Sequence, residues 1–330
     1  MPAFRLEIKM INKDYYLDIL DKHYLSSFVF NRGSSIKFMI TEPEKQIQLK
    51  DDLGKLGSKY RYLTVNVDAN EIKVQQIEQI FFAIAKKIDW EELTQVAAQK
   101  TINNTQYGSE HNSDLSDRNL SVKTLADRFQ SDQNEIIRDL NRELQKSIYY
   151  NYEMFHDFKI AMLRLVQYKL QTDQVSDSEY NAIMDWLKGD LKQVSPLKTV
   201  RIFHKINRQN GRHMLYSLVY WIKYCGYSGL VLTINLSQLN NKRPKGLKNS
   251  TDIYYTKPTI MDTFESIRQL VDGINEVSNF FTAVITDSRF ILDQTRGVEV
   301  YQALKLRIID EIRDANRENA FTTLVRLDQT

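Results

Sequence analysis

The chain of 330 residues contains one cysteine, Cys225. One thiol forms no internal disulfide and builds no multi-cysteine metal site, the usage of a protein kept in a reducing compartment. The sequence also lacks any apolar run approaching the roughly 18 residues that a membrane-spanning helix needs. Met1 to Met10 mixes acidic and basic residues and has no signal-type apolar core. The expectation is a cytoplasmic protein with no membrane contact. Charge of one sign is not in excess either: 45 Lys and Arg against 42 Asp and Glu leave a formal +3, too little to mark a nucleic-acid binder by its total. The five histidines form no metal motif. His23, His111 and His156 are dispersed, and His204 and His213 lie among Arg201, Lys205, Arg208 and Arg212, which reads as a basic helical face. No local Ser/His/Asp or Cys/His motif suggests a nucleophilic active site, and there is no internal repeat.

What is present is an alternation of apolar patterns, in a chain long enough for one large α/β domain or a core with an insertion. Tyr15, Tyr16, Ile19, Leu20 and Tyr24 recur at helical spacing within Ile11 to Tyr24. Ser35 to Thr41 reads as a strand ended by Glu42-Pro43-Glu44. A short charged helix, then Gly54 and Gly57, lead to a second strand over Tyr60 to Val67. Ile72 to Ile88 has a helical apolar face, and strand-helix-strand-helix is the signature of a parallel sheet. Gln99 to Asn119 is polar and reads as a loop. Ser121 to Thr172 is helical in pattern, Asp177 to Leu187 is a helix stopped by Gly189, and Pro196 precedes further helix. Leu239 to Lys257 reads as a polar loop, followed by a helix capped by Thr259 or Thr263. Phe280 to Thr286 is a buried strand, Val298 to Ile312 a helix, and Phe321 to Leu327 a closing strand.

The centre of this pattern is the turn Gly226-Tyr227-Ser228-Gly229 and the continuous apolar run Leu230 to Leu236, a strand buried on both faces. In nucleoside-triphosphatases such a strand ends in an acidic pair, one carboxylate for magnesium and one for the attacking water. Here the two places hold Asn235 and Leu236.

The wording of the last third of the chain resembles the BrxD-like P-loop ATPases of BREX and related phage-defence systems. Cys225 to Leu236 is similar to the family's Ala-Gly-Tyr-x-Gly-Leu-Val-Leu-hydrophobic-Asp-Glu. Ile267-Arg268-Gln269-Leu270-Val271-Asp272 and Ala283-Val284-Ile285-Thr286 resemble its next helix and strand. Tyr301 to Ile308 resembles Tyr-x-x-Leu-x-x-Arg-Ile, and Val325-Arg326-Leu327 the closing Val-Arg-Leu. The resemblance implies an α/β, P-loop NTPase-like fold of AAA+ type, a parallel sheet flanked by helices with an inserted helical subdomain. On that frame residues 1–98 and 226–330 are the two parts of the core, 99–120 a polar linker and 121–225 the insertion.

The departures from the family pattern suggest a lost nucleotide site. A phosphate loop, Gly-x-x-x-x-Gly-Lys-Ser/Thr, uses glycines so that amides wrap the phosphates, with lysine and hydroxyl completing the site. In its place stand Thr41, Glu42, Pro43, Glu44, Lys45, Gln46, Ile47 and Gln48, where the glutamates repel phosphate and Pro43 has no amide hydrogen. Gly54-Lys55 is followed by Leu56, and Gly33 precedes a strand as an ordinary turn. Thr286 and Arg307 stand where an active relative senses phosphate or reaches a neighbour's nucleotide, and without nucleotide both read as structural. The expectation is a degenerate member with no cofactor, binding other defence proteins (an ATPase, helicase or nuclease), DNA, or further copies in an oligomer. Lys242, Arg243, Lys245 and Lys248, with Tyr254 and Tyr255 beyond, form a candidate DNA contact, joined by Arg201, Lys205, Arg208 and Arg212. Two other readings stay open: an ATPase with an atypical site completed by another subunit through Arg307, and a DNA-binding protein acting alone.

Overall fold

Runs that stay apolar at every position need cover on both faces, and a parallel sheet between helices supplies it. In the computed structural model, which describes residues 9–108, 120–241, 253–309 and 319–328, six strands meet this demand. They are β1 (Met10–Asn12), β2 (Ser34–Ile40), β3 (Leu63–Asp68), β4 (Leu230–Asn235), β5 (Phe280–Thr286) and β6 (Leu324–Asp328). Their order is β1-β6-β2-β5-β4-β3, with every pairing among them parallel. The helices, in chain order, are α1 (Lys13–Ile19), α2 (Gln46–Lys59), α3 (Ile77–Lys87), α4 (Trp90–Asn103), α5 (Val122–Phe129), α6 (Gln133–Leu144), α7 (His156–Lys169), α8 (Asp177–Lys188), α9 (Gly211–Tyr224), α10 (Lys257–Asp272), α11 (Arg289–Leu292) and α12 (Gln302–Ile308). An all-parallel sheet flanked by helices is consistent with a P-loop NTPase-like fold. No helix among the described residues is long and apolar enough to cross a membrane.

The chain divides into two compact units, Met1–Ile84 with Tyr227–Thr330, and Ala85–Gly226. In the first, one face of the sheet presents Met39, Val231, Phe281, Ala283, Ile285 and Val325 to Tyr16, Ile19, Leu20 and Leu25, and to Leu49 and Leu53 of α2. On the opposite face Phe38 stacks on Phe290 of α11 at 6.0 Å, and Phe264 of α10 meets Phe290 edge-on at 5.7 Å. β4 and β5 are buried at every residue. The turn into β4 requires glycine: Gly229 has φ 143° and its absent Cβ would lie 2.0 Å from the Asn279 carbonyl oxygen. Lys37, buried in the sheet, donates to the carbonyls of Phe321 and Thr322 at 2.7 and 3.0 Å, the pairing a buried ammonium demands.

In the second unit the described residues form helices and turns and no strand. Side-chain caps set the starts: Asp89, Ser121 and Asp132 each accept from a backbone amide of the following first turn, and Ser176 with Glu179 forms a capping box on α8. Gly189, at φ 78°, ends α8 in the left-handed conformation that suits it. α7 buries Phe158, Ala161, Met162, Leu165 and Val166, and α9 buries Met214, Leu218, Trp221 and Ile222.

Several boundaries differ from the sequence expectation for physical reasons. Ile11 belongs to β1 and not to the first helix, because it pairs with Leu327 at the other end of the chain; that helix continues past α1 as a π-helical stretch, Leu20–Phe28. Gly54 and Gly57 lie inside α2 and not before β3. Tyr60 to Tyr62 form a turn, with Arg61 at φ 59°, so β3 starts at Leu63. Helix α3 starts at Ile77 and not Ile72, because the Tyr255 hydroxyl holds the preceding turn, donating to the carbonyls of Ala69 and Ile72 and accepting from the Val74 amide. Gln99 to Asn103 are helical, with Ile102 buried. Thr256, not Thr259 or Thr263, caps α10, since Pro258 fits only its first turn. The C-terminal helix is a 3-10 turn, Val298–Val300, and then α12, and β6 starts at Leu324 rather than Phe321.

Candidate functional site

Parallel α/β sheets take ligands outside the carboxyl ends of their strands, where neighbouring strands send the chain in opposite directions. That place lies between β2 and β5: the chain leaves β2 for β3 at one edge, and leaves β5 for β6 on the other side of β2. Ile40 and Thr286 are register partners, and the Thr41 amide donates to the Thr286 carbonyl at 3.0 Å. Thr41 and Thr286 are both buried. The Thr286 hydroxyl has no hydrogen-bond partner among the described residues.

One strand over, the end of β4 is tied into a polar network. The Asn235 side chain, 7% exposed, donates through Nδ2 to Oδ2 of Asp68 at 3.1 Å and to Oε1 of Gln46 at 3.2 Å. Its Oδ1 accepts from the Ser237 amide at 3.0 Å, and Gln46 Nε2 closes the circuit on Ser237 Oγ at 2.8 Å. Asp68 also lies 3.6 Å from Lys50 Nζ and accepts from the Asn70 amide. Leu236 is buried, its amide bound to the Ile285 carbonyl at 2.8 Å. Past β5, Asp287 is buried and held by Arg289, whose Nη2 lies 2.6 Å from Oδ2.

The connection from β2 to α2 is five residues, Thr41 to Lys45. Glu42, Pro43 and Glu44 are exposed, Pro43–Lys45 form one 3-10 turn, and the Lys45 ammonium sits 3.7 Å from Glu42. Arg307 pairs with Asp272 and donates to the Ala303 carbonyl at 2.7 Å. The residues expected to form a basic helical face do not share a helix: Arg201, Lys205 and Arg208 lie in irregular chain, and Arg212 alone is on α9. Lys242, Arg243, Lys245 and Lys248 lie outside the described residues, as do His111 and the end of the expected helix beyond Ile309. Sequence reading missed Gln46, Asp68 and Ser237. Asp68 had a legible signal, a carboxylate ending the pattern Leu63-Thr64-Val65-Asn66-Val67, whereas Gln46 and Ser237 had none.

A family model, described as BREX system ATP-binding protein BrxC/D, matches residues 118–330. The chain belongs to this family. The BrxC/D match takes in β4, β5, β6 and the helices from α5 onward, and with them Asn235, Leu236, Thr286 and Arg307. β2, the Thr41 to Lys45 turn, Gln46 and Asp68 precede it. No curated protein and no solved structure matches the chain.

Proposed function

We propose that the chain is a non-catalytic, ATPase-like subunit of a BREX phage-defence system, acting by binding other defence proteins and DNA. In this reading the sheet unit, residues 1–84 with 227–330, is an AAA+-type core and residues 85–226 are its helical insertion. Membership in the BrxC/D family supports the defence setting and the company of other proteins of the system. The observation that carries the loss of catalysis is the Gln46–Asn235–Asp68–Ser237 network. Asn235 stands where the magnesium-holding carboxylate belongs, and its amide is a donor turned onto Asp68. A neutral amide there brings no negative charge to a cation.

The turn before α2 supports the same reading. A phosphate loop spans eight residues from its first glycine to its Ser/Thr, and five residues without glycine separate β2 from α2. Glu42 and Glu44 bring negative charge to the place of the phosphates. The residues present do not fit a magnesium nucleotide, and Thr286 and Arg307 act as scaffold. Titration calorimetry of the isolated chain with ATP and magnesium tests this, with no binding in the micromolar range expected. Micromolar affinity would refute it and fit instead an ATPase with an atypical site completed through Arg307.

A further inference from the structure

The helical unit carries cations that its own acids leave unpaired. Lys198, Arg201, Lys205 and Arg208 are exposed on the irregular segment between the turn Ser195–Leu197 and α9. Among the described residues none of them has a carboxylate at ion-pair distance; Lys205 donates to the Lys192 carbonyl at 2.6 Å. The segment is nonetheless well held. Val200, Ile202 and Ile206 are buried, the Ile202 amide donates to the Leu197 carbonyl, and Asn210 donates to the Lys205 carbonyl at 3.0 Å. His204 is fixed at both ends, its ring 3.0 Å from buried Asp157 and its carbonyl accepting from Trp186 Nε1 at 2.9 Å. With Val200, Ile202 and Ile206 turned inward, Arg201, Phe203 and Lys205 face solvent, and Phe203 is 57% exposed.

Two further features mark this segment. Arg201 sits at φ 67°, a left-handed conformation that costs a non-glycine residue energy. Arg164 of α7 is half-buried, and its Nε has no partner among the described residues. Burial and then the Arg201 charge disfavour its cationic form. The nearby acid, Glu179, is committed to the Ser176 cap and to Thr199.

We propose that this surface binds single-stranded nucleic acid, with backbone phosphates on Arg201, Lys205 and Arg208 and a base stacked on Phe203. Cations following a backbone beside an exposed aromatic face are the elements of sequence-tolerant single-strand binding, and a base paired within a duplex cannot reach such a ring. The inference deepens the DNA-binding part of the proposed function, but it rests on the helical unit alone, so ATP binding by the core leaves it standing.

The test is fluorescence anisotropy of a labelled 20-nucleotide thymidine strand with the full chain, with unlabelled duplex and a polyglutamate peptide as competitors. Three neutralised phosphates give a salt slope near −2.1, so affinity falls about 20-fold between 50 and 200 mM salt. The variant R201E/K205E/R208E loses binding, and Phe203→Ala weakens it about tenfold with the salt slope unchanged, both with the parent's melting temperature. Absence of binding by the parent at 50 mM salt, or parental affinity in the triple variant, overturns the proposal. So does a preference for duplex, an unaffected Phe203→Ala, or displacement by polyglutamate as effective as by the unlabelled strand. The salt slope and the competitors need no variant, so the proposal stays falsifiable if a substitution unfolds the unit.

Discussion

Asn235→Asp, which places at the end of β4 the acid that the proposed reading finds missing, should cripple this protein's core. The new carboxylate would stand about where Asn235 Nδ2 now donates to Asp68 at 3.1 Å. Two carboxylates at that distance repel by about 5 kcal/mol at an effective dielectric near 20. Protonation caps the penalty: keeping a proton at pH 7 on a carboxyl of ordinary value near ~3.9 costs about 4 kcal/mol. A protonated acid also restores only one of the two bonds that Nδ2 makes. The expected loss is about 3–4 kcal/mol at pH 7, a large share of the roughly 5–15 kcal/mol that holds a domain together.

The sign of the pH dependence follows from linkage. Burial and the Asp68 charge raise the introduced carboxyl's folded value above its unfolded one, so between the two the native state holds more protons and stability falls as pH rises. The deficit relative to the parent should be smallest near pH 4 and still be growing at pH 7. Urea unfolding at matched pH, followed by far-UV circular dichroism, measures it; the three tryptophans, Trp90, Trp186 and Trp221, all lie in the helical unit and do not report on the sheet. A variant as stable as the parent at pH 7, or a deficit independent of pH, refutes the network. Stabilisation of the variant by magnesium and ATP beyond the parent would mean that the strand end still addresses a metal.

Two further outcomes test the packing and the electrostatics. In α2, Gly54→Ala meets nothing within 4 Å, whereas a Cβ at Gly57 would lie 2.5 Å from the Thr64 methyl and 3.3 Å from Val231. The first should stabilise by about 1 kcal/mol through helix propensity, and the second should destabilise by about 1 kcal/mol once overpacking outweighs that gain; equal midpoints in urea would show that α2 does not press on the sheet there. Glu265 is held down to about 2 by Arg268 and, beyond it, by Tyr301 and Gln269. Its contribution is whole above the ordinary glutamate value of 4.5 and disappears as pH falls toward 2, so Glu265→Gln should flatten the acid limb of a thermal-stability profile across that window, and an unchanged limb would count against the pairing.

The strands buried on both faces were legible because no alternation interrupts them. β5 falls where the apolar run does, and β2 and β4 lie within a residue of it. β1 was not legible: it is three residues long, and what makes it a strand is Leu327, more than three hundred residues away in sequence. Gly54 and Gly57 read locally as breakers, but the helix tolerates them where one faces open space and the other lets the backbone approach β3 and β4. The basic residues from Arg201 to Arg212 looked helical by spacing, yet Val200, Ile202 and Ile206 anchor an irregular path that no periodicity encodes. At the sheet's carboxyl end, Asn235 and Thr41 could be placed by counting to the ends of apolar runs. Their partners Gln46, Asp68 and Ser237 come from three separate elements, and only the parallel register brings them together.

The same geometry governs how far the family name reaches. Of the four side chains in the network, Asn235 and Ser237 lie inside the segment that the BrxC/D model matches, while Gln46 and Asp68 lie before it. The turn that would have to wrap phosphates, Thr41 to Lys45, also lies before it. The match therefore covers β4, the strand proposed above to have lost its magnesium acid, but not the turn after β2, and in this chain β4 ends in an amide. An ATP site needs both halves at once, because a loop without the metal carboxylate leaves the phosphate charge uncompensated and a carboxylate without the loop has nothing to bring the phosphates to it. Restoring one half should not restore the other: Asn235→Asp alone should gain no ATP affinity, and a gain would place a phosphate-binding element somewhere other than the turn after β2.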